Sequence, residues 1–141
     1  MRAVLDTNVV VSGLLIAHGR PAAILASWRE RRFQLITSEP LLRELASVLS
    51  RPSLSRRIGR SDEDVATFLA DFARAAVVVE PGERLAVVPD EADNRVIEAA
   101  ITGAADYVVS GDQGLLALNA YRQIPIVRAS RFAAILEAEL S

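Results

Sequence analysis

Short apolar runs alternate with helix-patterned stretches along the whole chain, and this alternation limits the fold more than any other feature. The runs fall at residues 3–5, 33–36, 77–80, 106–110 and 124–127. A further apolar run at 85–88 reads as either a strand or buried coil. Strands this short, each followed by a helix, pair in parallel and are covered on both faces. The expected fold class is α/β, a three-layer α/β/α sandwich with a short central parallel sheet.

Punctuation supports the pattern. A helix over 9–16 is broken by His18-Gly19-Arg20-Pro21. Pro21 suits the first turn of a second helix, running to about residue 32. Thr37-Ser38-Glu39-Pro40 combines capping residues with an early proline, opening a helix to about 50 that Arg51-Pro52 stops. Residues 53–60 are short and basic. Ser61-Asp62-Glu63-Asp64 places acids in the first turn of a helix to about 75, where the dipole favours them. Residues 89–93 open a helix to about 103, residues 115–119 a shorter one. Ser130 is expected to cap the last, which runs to about 140.

Composition removes several chemistries. The chain has 141 residues, the size of one domain, with no cysteine and one histidine, His18. Disulfides, thiol nucleophiles and Cys-based zinc sites are excluded. Any metal would be held by oxygen, which favours Mg²⁺ or Mn²⁺. No apolar stretch approaches the roughly 20 residues of a membrane span, and no basic leader precedes the first strand. A cytoplasmic protein is expected. All 16 cations are arginine; a GC-rich genome and a need for bidentate phosphate contact both produce that bias.

Ligands of an open parallel sheet bind at the carboxyl ends of its strands. Asp6 directly follows the first strand, and Asp112 follows the 106–110 strand by one glycine. Asp93 opens the helix after the 85–88 run. Glu44 borders the apolar face made by Leu41, Leu45, Val48 and Leu49. Each acid also has a structural reading: Asp6 and Asp93 as helix caps, Asp112 as a turn residue, Glu44 as a surface charge. Together they define one acidic edge, with Asp90, Glu91 and Asp106 nearby. Carboxylates gathered this way are stable near neutral pH only when protonated or neutralised by a cation. A divalent ion held by such acids is a common basis for phosphodiester hydrolysis.

Four stretches carry a family resemblance: V-L-D-T-N at 4–8, S-E-P-L-L-R-E-L-A-S-V-L-S-R-P at 38–52, D-E-A-D-N-R-V-I-E-A-A at 90–100 and A-D-Y-V-V-S-G-D-Q-G-L-L at 105–116. In order and spacing they resemble the PIN-domain nucleases, in particular the VapC-like toxins of toxin–antitoxin modules. The resemblance covers nearly the whole chain and implies a single PIN-like domain over 1–141. It implies a metal-dependent endoribonuclease in which Asp6, Glu44, Asp93 and Asp112 hold Mg²⁺ or Mn²⁺. Asn8 and Ser110 match positions that orient a water or phosphate oxygen. Implied partners are an RNA substrate, a cognate antitoxin and a second copy in a homodimer.

An acidic pocket repels RNA, so cations should border it. Arg51, Arg56, Arg57 and Arg60 are the RNA-binding candidates, with Arg29, Arg31 and Arg32 as a second cluster. Phosphate contacts of this kind give affinity without reading sequence. A solvated helix face is the competing reading, and the simpler one for the cluster of Arg29, Arg31 and Arg32. Two other functions compete with the nuclease. One is a Mg²⁺-dependent phosphohydrolase with Asp6 as covalent nucleophile, against which Asn8 stands where a second aspartate is needed. The other is an RNA-binding module that does not cleave.

Overall fold

A computed structural model describes residues 1–59 and 61–139. The central sheet has six strands: β1 (Arg2–Leu5), β2 (Gln34–Ser38), β3 (Val77–Val79), β4 (Tyr107–Val109), β5 (Ala120–Tyr121) and β6 (Ile124–Val127). Their spatial order is β3-β2-β1-β4-β6-β5. All neighbours are parallel except β5 and β6. The expected α/β sandwich is therefore present, with an antiparallel edge that the sequence reading did not include.

The helices are α1 (Thr7–Leu15), α2 (Arg20–Arg29), α3 (Glu39–Leu49), α4 (Pro52–Ile58), α5 (Asp62–Ala75), α6 (Glu91–Thr102), α7 (Gln113–Leu116) and α8 (Ala129–Glu139). Alternate strand residues feed opposite faces of the sheet. Ala3, Leu5, Leu35 and Val109 join a core with Ile24, Leu45, Phe72 and Phe132 from α2, α3, α5 and α8. Val4, Ile36 and Val108 join another core with Val96 and Ile97 of α6 and Leu115 of α7. Burial on both faces is what makes these strands continuously apolar rather than alternating.

Several boundaries differ from the sequence reading. Residues 85–88 form no strand. Asn94 and Glu98 on α6 replace the missing ladder: Asn94 Oδ1 accepts from the amides of Val87 (2.9 Å) and Val88 (3.0 Å), and Glu98 Oε2 accepts from Leu85 (2.7 Å). Asn94 Nδ2 donates to the Val88 carbonyl at 2.8 Å. Helix α2 ends at Arg29 instead of 32, because the chain turns through a left-handed Arg31 (φ 61°). Helix α8 starts at Ala129, so Ser130 lies in its first turn rather than capping it. Its expected end at residue 140 lies outside the described residues. The β5–β6 hairpin turns on Arg122 and Gln123, both at positive φ (46° and 69°), the geometry of a two-residue turn matched to strand twist.

Gly103 has a packing role. A Cβ there would lie 2.5 Å from Ile36 Cγ2, so α6 approaches β2 more closely than any side chain permits. The left-handed residue that ends the helix is its neighbour, Ala104 (φ 50°).

Candidate active site

The strand order reverses direction between β1 and β4: from β1 the chain builds outward to β2 and β3, and then returns to place β4 on the other side. The carboxyl edge at such a switch point is where a crevice opens. Leu5 pairs with Val109, and the Asp6 amide donates to the Val109 carbonyl at 2.9 Å. Asp6 and Ser110 therefore leave the sheet side by side.

Ser110 ties two acids together. Its Oγ donates to Asp6 Oδ2 at 2.7 Å and accepts from the Asp112 amide at 3.0 Å. The serine is fully buried. Its single proton is spent on Asp6, so it positions carboxylates instead of contacting water or phosphate directly. Asn8, the other expected orienting residue, is exposed on the first turn of α1.

The capping readings resolve differently for each acid. Asp6 occupies the N-cap position of α1, yet its side chain makes no capping bond. Thr7 and Asn8 lie inside the first turn of the helix. Asp112 is a true N-cap: Oδ2 accepts from the Leu115 amide at 3.0 Å. Asp90 caps α6 by accepting from Ala92 at 2.8 Å, and Asp93 sits in that helix's first turn. Glu44 comes from α3, where Thr7 Oγ1 donates to its Oε2 at 3.0 Å. Thr7 is the member that sequence reasoning missed as a site residue. Its signal was position alone, two residues past a strand end.

The electrostatics show one cluster. Burial raises the carboxyl of Asp6 above its ordinary range; the Ser110 hydroxyl and Thr7 amide oppose this, and the charges of Asp112 and Asp90 add to it. Burial also raises Glu44, against the Thr7 hydroxyl, with Asp6 and Asp90 adding to the rise and Arg51 offsetting it. Asp93 is pushed up to about 7, first by burial and then by a hydrogen bond shared with Asp112 and the charges of Asp112, Asp90 and Asp6. Two carboxyls sharing a hydrogen bond must hold a proton between them, the expected response of crowded acids with no cation.

A small hard divalent ion fits this donor set, which is all carboxylate oxygen. Gly114 leaves the space open: a Cβ there would lie 3.1 Å from Asp112 Oδ2 and 3.7 Å from Asp93 Oδ2. Among the described residues no three Asp, Glu, His or Cys side chains form a ready-made metal cage. The geometry suits an ion held by one or two carboxylates with retained waters, as Mg²⁺ prefers.

Of the arginine candidates, Arg51 is near enough to act on Glu44. Arg56 and Arg57 lie on the last turn of α4, with Arg56 Nε donating to the Pro52 carbonyl at 3.3 Å. Arg60 lies outside the described residues. Arg29 and Arg31 line a groove with Trp28, Phe33 and Gln34 at the amino edge of the sheet, away from the acids.

The chain is 30% identical over 119 residues to the uncharacterized protein MJ1680 of Methanocaldococcus jannaschii, covering 84% of this chain and 76% of that protein. Its fold is similar to that of VapBC2 from Rickettsia felis, solved bound to a DNA fragment from its promoter (TM-score 0.61, 14% identity, 91% and 98% of the two chains). It is also similar to PAE2754 from Pyrobaculum aerophilum (TM-score 0.60, 16% identity, 97% and 89%). The family model for the PIN domain matches residues 2–114, and the chain belongs to the PIN-domain family of nucleases.

Proposed function

We propose that this protein is a Mg²⁺- or Mn²⁺-dependent endoribonuclease and the toxin of a toxin–antitoxin pair. The observation that carries the reading is the Asp6–Ser110–Asp112 linkage at the switch point, with Asp93 and Asp112 both reaching the space over Gly114. When bound, the ion supplies an activated water and neutralises charge building on phosphorus. The chain's own residues prepare the site for it. Ser110 and the Leu115 amide fix two carboxylates at the sheet edge, and Thr7 fixes Glu44. Asp93, with its raised carboxyl, gives up its proton as the cation enters.

The reading takes residues 1–141 as one nuclease domain acting in the cytoplasm. Among the described residues no single helix is long and apolar enough to cross a membrane. The likeness to VapBC2 supports a cognate antitoxin as partner, and the reading includes a homodimer, which light scattering tests directly. Asp6 is only 5% exposed, poorly presented for in-line attack as a covalent nucleophile.

The test is cleavage of structured RNA with Mn²⁺, comparing the parent chain with Asp6→Asn. Cleavage by the parent and its loss in the variant support the assignment. Equal cleavage by both would sink it.

A further inference from the structure

On the β6 side of the buried Ser110, a cleft of about 280 Å³ opens at the same edge of the sheet. Asn8 and Ser12 of α1, Ser110 and Gly111 after β4, and Arg128 and Ser130 at the start of α8 line it. The acids bound the Ser110–Gly111 segment on one side, and this cleft bounds it on the other. Its polar lining open to a ligand is neutral or cationic: the Asn8 amide, the Ser12 and Ser130 hydroxyls, the Gly111 backbone and the Arg128 guanidinium, with Val9, Pro21 and Ala129 between them. Arg128 is exposed; its backbone carbonyl accepts from the Phe132 amide, but its guanidinium makes no ion pair or hydrogen bond among the described residues. The other arginines at the carboxyl edge do not share this setting, since Arg51 already acts on Glu44.

An unpaired guanidinium beside a cluster of acids would ordinarily collapse onto them. Arg128 does not. It stands past the end of β6, with Ser110 and Gly111 between it and the carboxylates. The cleft thus offers a fork of donors to an anion one step removed from the acidic centre. Guanidinium and hydroxyl donors suit a phosphate oxygen.

We propose that this cleft is a subsite for a backbone phosphate of the RNA strand, adjacent to the phosphate that is cut, with Arg128 as its main contact. The proposal rests on the nuclease reading for its substrate, and it assigns to Arg128 the role that sequence reasoning gave to Arg51, Arg56, Arg57 and Arg60. The contact is independent of base identity, so it sets affinity and register on the strand, not sequence preference.

The test is binding of an unstructured oligoribonucleotide, followed by fluorescence anisotropy across a salt series in EDTA, so that no cleavage takes place. Arg128→Ala is expected to weaken binding roughly five- to tenfold and to reduce the slope of log affinity against log salt by about 0.7, the value for one phosphate contact on a single strand. Arg74→Ala, which removes an exposed arginine paired with Asp71 on the far helix α5, is the control for net charge. An unchanged slope in Arg128→Ala, an equal loss in both variants, or no RNA binding by the parent chain overturns the subsite. The two readings fail separately. Loss of the salt slope without any Mn²⁺-dependent cleavage leaves the subsite and removes the nuclease. Cleavage with an unchanged slope and KM in Arg128→Ala does the reverse.

Discussion

At the scale of single residues, the acids differ in what holds them. Asp6 is held by a serine hydroxyl, Glu44 by a threonine hydroxyl, and Asp112 by two backbone amides, one donated and one its own. Removing a hydroxyl that orients a metal-binding carboxylate typically costs about 10–100-fold in affinity or activity. Ser110→Ala is therefore expected to lower Mn²⁺-dependent RNA cleavage by about that factor, with metal affinity by calorimetry falling in parallel. Thr7→Val should act through Glu44 and give a similar or smaller loss. Thr7→Ser, which keeps the hydroxyl, should restore most of it. The placement of Asp6 and Asp112 past strand ends was legible in the sequence because strand ends are recognisable and a carboxylate there is unusual; Asp93 was read from a helix start instead. Thr7 was not legible, because a threonine opening a helix is ordinary. Only the distance to Glu44, contributed from 37 positions away, gives it a role. Arg128 obeyed the same strand-end rule as the acids, yet it was passed over for arginines that stood in clusters.

At the scale of elements, regular strands and helices were legible from periodicity and punctuation, and the segment before α6 was legible only as strand or coil, the coil being what forms. Residues 85–88 have the composition of a strand, but side chains on α6 satisfy their backbone amides. That substitution depends on Asn94 and Glu98 facing the segment, a tertiary fact with no local signature. Asn94→Ala is expected to destabilise the protein by about 2–4 kcal/mol, since it strands the Val87 and Val88 amides and the Val88 carbonyl together. Thermal or urea unfolding checks this. The same change should reduce cleavage beyond what stability explains, because Asn94 adjoins Asp93 at the start of α6. Gly103→Ala tests the close contact of α6 with β2. The added methyl meets Ile36 at 2.5 Å, and overpacking of this kind costs about 1–3 kcal/mol.

At the scale of the whole molecule, the acid cluster ties stability to pH and to cations. Asp93 has an ordinary value of 3.8 and is raised to about 7 in the folded chain, and Asp6 and Glu44 are raised as well. Between these limits the folded chain keeps protons that the unfolded chain has released. Stability is therefore full at the acidic end of this window and falls as pH rises through it, the reverse of the usual carboxylate. The metal-free protein is expected to melt higher at pH 5 than at pH 8. Mg²⁺ should raise the melting temperature at pH 8 and much less at pH 5, since a cation and a proton relieve the same repulsion. A melting curve that rises with pH in EDTA would contradict the clustering.

The acids come from positions 6, 44, 93 and 112, on four elements that only the finished sheet brings together. This has a consequence for synthesis. A chain leaving the ribosome has Asp6 and Glu44 exposed long before Asp112 exists, and β4 must still pair with β1 to seat it. Partial chains therefore contain no assembled acid cluster, and under the proposed nuclease reading the RNA of the machinery making the protein is spared until the fold closes.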